Sequence, residues 1–366
     1  MLLLEILIIT PSIIQFLYWI ILSIGISKKK ISEGSAPEPV SVIVCAHDEE
    51  ENLRQLIPLL LSQLHHTYEI ILVNDCSNDG TYDLLREESK KDSRLRIVNV
   101  HQCPDHVNGK KYGLTLGIKA AKHDWVLFTD ADCRPTSPDW ISQMAESFTE
   151  SNSFVLGYSP YVREKGLLNS FIRFETIITA IQFLGLANLG RPYMATGRNL
   201  AYRKKIFLEN KGFNSHLSIM GGDDDLFVNE HATGSNTCTV LNAKSIVNSL
   251  PKKTWKAFFR QKTRHLAVGR RYRFSSRLML APFTLSWILF WPIMITGLLS
   301  PFWQWTLGCI LARFLAMFFT ISTFNNKTGE EFERWKILLL DFIFCFYYLV
   351  AGFSALITKR IQWKKT

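Results

Sequence analysis

Residues 125–135 read Trp125-Val126-Leu127-Phe128-Thr129-Asp130-Ala131-Asp132-Cys133-Arg134-Pro135. An apolar run passes without interruption into two aspartates one residue apart. On an extended chain, residues i and i+2 point to the same side. Two carboxylates therefore meet at the end of a strand. A hard divalent cation takes oxygen ligands of this kind, and Mg²⁺ or Mn²⁺ usually completes its shell with substrate phosphates. An isolated Asp-x-Asp is more often an acidic turn, so its weight depends on its surroundings.

Upstream, two segments repeat the pattern. Val40 to Leu53 runs VSVIVCAHDEEENL, an apolar strand opening into an acidic loop and a helix. Tyr68 to Thr81 runs YEIILVNDCSNDGT, a strand that ends in Asn74-Asp75 and a polar turn. The β-rich runs Val40–Val44, Glu69–Val73, Arg96–Val100 and Trp125–Thr129 alternate with charged, helix-like stretches such as Glu49–Gln63 and Asp79–Lys91. Strands that are apolar on both sides and alternate with helices predict a mostly parallel sheet covered on both faces. In such a Rossmann-like layer, ligands sit at the carboxyl ends of the strands. Downstream come Ala195-Thr196-Gly197-Arg198-Asn199 and the acidic run Gly221-Gly222-Asp223-Asp224-Asp225.

The flanks differ in character. Residues 2–27 are almost wholly apolar and end at Lys28-Lys29-Lys30, and three further apolar stretches cover about 278–299, 302–321 and 337–357. About 20 apolar residues span a bilayer. The first stretch has no basic n-region and no cleavage site, so it predicts an uncleaved anchor. The organisation expected is an anchor over 1–30, a catalytic domain over 31–275, and a transmembrane region with about three apolar segments over 276–366. A segment at 167–189, apolar but for Arg173, Glu175 and Gln182, reads either as a core helix or as one lying in the interface plane, and the interfacial reading is preferred because the segment precedes Thr196-Gly197-Arg198-Asn199. Arg313 and Asp341 fall within apolar stretches and are expected to face protein or each other. The seven cysteines are scattered, with no Cys-x-x-Cys, and are expected to be reduced thiols.

With 42 Lys and Arg against 32 Asp and Glu, the chain of 366 residues carries a net charge of +10. Residues 251–280 alone hold ten basic residues and no acid. Because this stretch leads into a membrane span, positive-inside bias and anionic headgroups account for it better than nucleic acid. The catalytic domain is expected on the cytoplasmic side of the inner or plasma membrane. One anchor before it and three spans after would leave Lys359, Arg360, Lys364 and Lys365 outside, against the same bias.

The order of these motifs over about residues 38–270 resembles glycosyltransferase family 2, inverting enzymes with a GT-A fold. The resemblance implies an α/β GT-A domain with a mixed, mostly parallel sheet and N- and C-terminal transmembrane helices. Ala46, His47 and Glu49 would lie along the nucleotide, although His47 and Asp48 stand where the family often has Tyr and Asn. Asp75 matches the base-contacting aspartate. Lys110 matches the lysine near the diphosphate, with Lys111 competing. Asp130 and Asp132 match the metal motif, for Mg²⁺ or Mn²⁺. No Walker-type phosphate loop is present. The donor implied is a nucleotide-sugar, with a UDP-sugar the first to test. An inverting transfer needs a carboxylate base, and the acidic run supplies candidates, Asp224 ahead of Asp223. Arg198 and Asn199 are expected on the acceptor side. Gln261 and Arg264 match the Gln-x-x-Arg-Trp motif of membrane-bound members, with His265 replacing the Trp.

The function expected is transfer of one sugar from the nucleotide-sugar to a lipid, glycolipid or envelope glycan at the membrane. A processive polysaccharide synthase is disfavoured by His265 and the few spans. A catalytically degenerate membrane scaffold is disfavoured by the intact aspartates.

Overall fold

The computed structural model describes residues 2–28, 38–104, 107–217, 219 and 221–357. In chain order the elements begin with α1 (Leu2–Ser27), β1 (Val40–Ala46), α2 (Glu50–Leu61), β2 (Tyr68–Asp75), α3 (Thr81–Lys91), β3 (Leu95–Val100) and α4 (Gly109–Ala120). There follow β4 (Trp125–Asp130), β5 (Cys133–Pro135), α5 (Trp140–Ala145), β6 (Phe154–Gly157), α6 (Leu167–Asn188), β7 (Leu200–Arg203) and α7 (Lys204–Glu209). The chain closes with α8 (Asp225–His231), β8 (Thr237–Val240), β9 (Val247–Ser249), α9 (Trp255–Gly269), α10 (Phe274–Leu298), α11 (Trp303–Thr328) and α12 (Ile337–Ile357).

These elements form two compact units. One comprises residues 30–162 and 190–251, the other residues 1–29, 163–189 and 252–366. The single block expected over 31–275 is thus interrupted: α6 and α9 group with the apolar helices. Lys29 and Lys30, most of the segment joining them to β1, and the basic tail beyond 357 lie outside the described residues.

The first unit is built on a seven-stranded sheet in the order β3-β2-β1-β4-β7-β6-β8. The block β3-β2-β1-β4 is parallel throughout. Strand β7 runs antiparallel between β4 and β6, and β8 is parallel to β6. This is the mixed, mostly parallel α/β sheet that the apolar runs predict. Register aligns the strand ends: Ala46 pairs with Asn74, Cys45 with Asp130, and Asp75 with Val100. Because strand order reverses between β1 and β4, a crevice opens at their carboxyl ends. Helix α4 lies close over this sheet for lack of side chains. A Cβ at Gly117 would stand 2.8 Å from Val73 Cγ2 and 3.1 Å from Ile43 Cγ2, and one at Gly113 would stand 3.1 Å from Cys45 Sγ. Deeper in the core, Trp125 stacks on Phe148 at 4.0 Å, both fully buried.

Among the described residues of the second unit, five helices are long and apolar enough to cross a membrane by length and composition. Helices α1, α10, α11 and α12 leave apolar side chains such as Leu17, Leu285, Leu315 and Val350 exposed. Helix α6 does not. Its apolar window is 94% buried inside the protein, so the expectation of a helix lying with a free apolar face in the interface plane is corrected. Its charges are paired, as buried charges must be. Glu175 meets Lys262 of α9 at 2.5 Å, and Arg173 meets Glu330 and Glu333. Glycines bring α1 and α6 together: a Cβ on Gly25 would fall 2.3 Å from the Gly185 carbonyl oxygen. Arg313 and Asp341, both fully buried, face each other in a bidentate pair at 2.8 and 2.9 Å. Arg313 also donates to Gln15 Oε1, and Trp291 donates to Asp341.

Gly117 yields a test of the helix–sheet approach. Gly to Ala in an exposed helix interior gains up to about 1 kcal/mol, but here the added methyl meets branched core side chains, and overpacking costs about 1–3 kcal/mol. Gly117→Ala should therefore lower the denaturant midpoint. A raised midpoint would mean that α4 has room to spare.

Candidate active site

The loops after β1 and β2 hold each other. Asp48 and Cys76, the residues that turn the chain out of the two strands, both have φ of 54°. Such a conformation is uncommon outside glycine and persists where neighbours enforce it. The enforcing contacts are on hand. Asp48 N donates to Ser77 Oγ at 3.1 Å, and Asn78 N returns a bond to Asp48 Oδ1 at 2.7 Å. Glu49 N donates to Thr81 Oγ1 and Glu50 N to Asp79 Oδ2. His47 Nδ1 lies 2.6 Å from the Asp75 carbonyl oxygen. Ala46, His47, Glu49 and Asp75 thus line one rim, as a nucleotide site would require. Burial raises the Asp75 carboxyl above its ordinary range, with His47 opposing. The first turn of α4 abuts it, since a Cβ on Gly109 would stand 3.1 Å from Asp75 Oδ2.

At the end of β4, Asp130, Asp132 and Cys133 bring potential ligand atoms within 4.8 Å of one another. Burial pushes the Cys133 thiol far up, leaving a protonated sulfur that a hard cation does not take. The two carboxylates fit Mg²⁺ or Mn²⁺ by their chemistry. Arg134 braces the turn by donating to the carbonyls of Ala131 and Cys133 and to the Asn52 and Gln55 side chains of α2.

Lys110 spans the cleft. Its Nζ stands 3.0 Å from Asp130 Oδ1 and 3.4 Å from Asp223 Oδ2. Burial works against its charge, yet Asp130, Asp223 and Asp224 hold the ammonium well above the ordinary lysine range. The neighbouring acids are driven apart. For Asp223 burial is outweighed by Lys110, which keeps the carboxyl below its usual value. For Asp224 burial and the adjacent Asp223 push it up to about 6. Its two oxygens accept from Gly197 N at 2.6 Å and Asp225 N at 2.8 Å. Asp225 begins α8 and is buried, so Asp223 and Asp224 are the members of the run that line the cleft with Lys110, Thr129, Asp130 and Gly197.

Asn199 is not an acceptor contact. It is fully buried, accepts from Trp140 Nε1 and donates to the carbonyls of Tyr158 and Ser245. Every polar atom of its amide is engaged, so its work is to tie β6, β7 and α5 together. Arg198 sits beside the metal motif, its guanidinium 4.5 Å from the Tyr161 ring centroid. Its Nη1 is buried without a hydrogen-bond partner among the described residues. Gln261 and Arg264 are on α9 in the other unit. Lys111, a competitor for the diphosphate role, instead donates from Nζ to the carbonyls of His216 and Ile219, and burial lowers it to about 8. The Gly197 amide and the brace by Arg134 were missed in the sequence. A backbone donor leaves no residue-type signal, whereas Arg134 lay within the quoted stretch.

Comparison with known proteins agrees with this geometry. Residues 41–209 match the sequence profile of glycosyl transferase family 2. The probable glycosyltransferase YdaM of Bacillus subtilis is 30% identical over 250 residues, covering 64% of this chain and 55% of that protein. The Escherichia coli UDP-Glc:alpha-D-GlcNAc-diphosphoundecaprenol beta-1,3-glucosyltransferase WfaP is 28% identical over 131 residues, covering 35% of this chain and 48% of that one. The chain thus spans about half the length of these two relatives. In fold it is similar to the mannosyltransferase PcManGT of Pyrobaculum calidifontis, solved with GDP-Man and Mn²⁺, with a TM-score of 0.60 at 14% identity over 98% of this chain and all of that one. Residues 41–209 are therefore similar to glycosyl transferase family 2, and the fold around them is GT-A-like.

Proposed function

We propose that the protein is a membrane-bound, inverting glycosyltransferase that moves a single sugar from a nucleotide-sugar to a lipid-linked or envelope glycan acceptor. The observation that carries this reading is the Lys110 bridge, which sets the Asp130–Asp132 pair and the Asp223–Asp224 pair on two sides of one cleft. One side suits the departing diphosphate, the other the entering hydroxyl.

In this reading the base lies against the rim formed by His47, Glu49 and Asp75. Asp130 and Asp132 would hold Mg²⁺ or Mn²⁺, which when bound supplies Lewis acidity to the diphosphate oxygens. Lys110 adds a fixed positive charge on the same side. The acceptor oxygen attacks the anomeric carbon, the bond from that carbon to the diphosphate oxygen breaks, and the acceptor proton passes to Asp224. Hydrogen bonds from Gly197 N and Asp225 N fix the direction of that carboxylate. A base titrating near 6 is ionised at neutral pH yet basic enough to take a proton.

Two comparisons support the substrate classes. PcManGT was solved with a nucleotide-sugar and Mn²⁺, and WfaP is named for a diphosphoundecaprenol acceptor. A UDP-sugar is the first donor to test. The helices with exposed apolar faces favour an acceptor that lies in the bilayer, and the basic stretch over 251–280 favours a catalytic domain on the cytoplasmic side.

Release of nucleoside diphosphate from a panel of nucleotide-sugars, with extracted lipid as acceptor, tests the reading. Long products would point to a synthase, and silence with every donor to a scaffold. Chelation should abolish transfer and Mn²⁺ or Mg²⁺ should restore it, with Asp132→Asn inactive but unchanged in melting temperature. Full activity in excess chelator would remove the metal from the scheme.

Asp224→Asn should lower turnover by roughly 10²–10⁴-fold with little change in donor affinity. Asp223→Asn and Asp225→Asn are the controls. In the parent, Asp224 must be ionised to act, so turnover should climb with pH through about 6 and level off above it. The Asp224→Asn residue of activity should lack this acid limb. An unchanged limb in that variant would assign the base elsewhere.

Arg264→Ala should reduce transfer more than Lys256→Ala on the same basic stretch. Equal, mild losses measured side by side would make the stretch a membrane-facing charge patch alone.

A further inference from the structure

Lys110 and Lys111 are neighbours that point to different places. Successive residues of a helix are rotated by about 100°, so when Lys110 enters the cleft Lys111 turns behind it. The Lys111 side chain is fully buried. Its Nζ donates to the carbonyl oxygens of His216 at 2.6 Å and Ile219 at 2.9 Å. One helical turn earlier, Asn108 N donates to the Leu217 carbonyl at 3.2 Å, while the Asn108 side chain caps α4 by accepting from Lys111 N. The start of α4 is thus bonded three times to the segment that precedes the acidic run.

That segment needs holding. Gly221 and Gly222 follow it with φ of 79° and 77°, and then come Asp223 and Asp224. Paired glycines impose little conformation of their own. The placement of both carboxylates must therefore come from the parts to either side. On the far side stands α8, and on the near side the bonds from α4.

We propose that Lys111 is a positioning residue for glycosyl transfer, holding the backbone of His216 and Ile219 so that Asp223 stays against Lys110 and Asp224 stays against Gly197. The same helical turn would then place both halves of the cleft, Lys110 at the leaving diphosphate and Lys111 behind the acid that takes the acceptor proton. The catalytic part of this inference rests on the transferase reading above, whereas the tether itself does not.

The experiment uses the full chain in nanodiscs, with Lys111→Met, which keeps length without donors, and Lys111→Arg, which keeps donors and charge. Amide hydrogen exchange reads the tether, nucleoside diphosphate binding in Mn²⁺ reads the donor side, and turnover reads the outcome. For Lys111→Met, amides of 214–217 and 221–224 should exchange at least about tenfold faster while those of β1 and β2 do not change. Turnover should fall about 10–100-fold with nucleotide affinity held within about twofold, and Lys111→Arg should recover part of it. A tenfold loss of nucleotide affinity would place Lys111 in the phosphate site and overturn the proposal. So would native exchange in the loop, whatever the turnover. If Lys111→Met does not fold, Lys111→Arg decides: protection of 214–217 and 221–224 and turnover that fall together support the tether, and lost turnover with native protection overturns it. Should the parent transfer no sugar from any donor, the transferase reading fails, and the exchange comparison still supports or overturns the tether.

Discussion

The ammonium of Lys110 is the contact on which the cleft depends. Four carboxylates, Asp130, Asp132, Asp223 and Asp224, converge from two stretches about ninety residues apart in the chain. Without a cation among them, like charges at close range would push the loop bearing Asp223 and Asp224 away from β4. Lys110 meets one oxygen from each stretch and so sets the width of the opening. The same charge keeps Asp223 ionised, while burial and that neighbouring carboxylate raise Asp224 to about 6. Two carboxyl groups whose environments drive their proton affinities apart can take different tasks.

The scaffold makes this contact possible by register and by omission. Parallel pairing of β1 with β2 and β4 ends Ala46, Asp75 and Asp130 at one level. The glycines of α4 let the helix settle close enough for Lys110 to reach across. Asn199, turned into the core, ties α5, β6 and β7 beneath the Gly197 amide that orients Asp224. Site geometry here is therefore set by backbone placement more than by the reacting side chains.

Much of this could be read from residues alone, for identifiable reasons. Strands buried on both faces are nearly continuous apolar runs, so Val40–Val44, Glu69–Val73 and Trp125–Thr129 are legible despite Ser41, Glu69 and Thr129, and the aspartates near their ends mark the crevice. What escaped depended on partners distant in the chain. Asn199 looks like a polar group on offer, and only Trp140, Tyr158 and Ser245 show that it is spent. Helix α6 reads as interfacial because it precedes the run Thr196–Asn199, but Lys262, Glu330 and Glu333, some 90 to 160 residues on from its charged Arg173 and Glu175, neutralise those charges in the protein interior. The adjacent Lys110 and Lys111 are indistinguishable by type, and helical phase alone separates them.

The ion pair of Arg313 with Asp341 bears on what can pass through the apolar unit. Arg313 is wrapped by the rings of Trp287, Phe290 and Phe314 and bonded to Gln15 and Asp341, so α1, α10, α11 and α12 meet around it. Removing one partner from a buried pair costs about 3–5 kcal/mol. A conduit for a hydrated polymer along that line would have to wet and part these charges at every step of extrusion. The four helices are therefore held together at this point by a charge pair as well as by apolar packing.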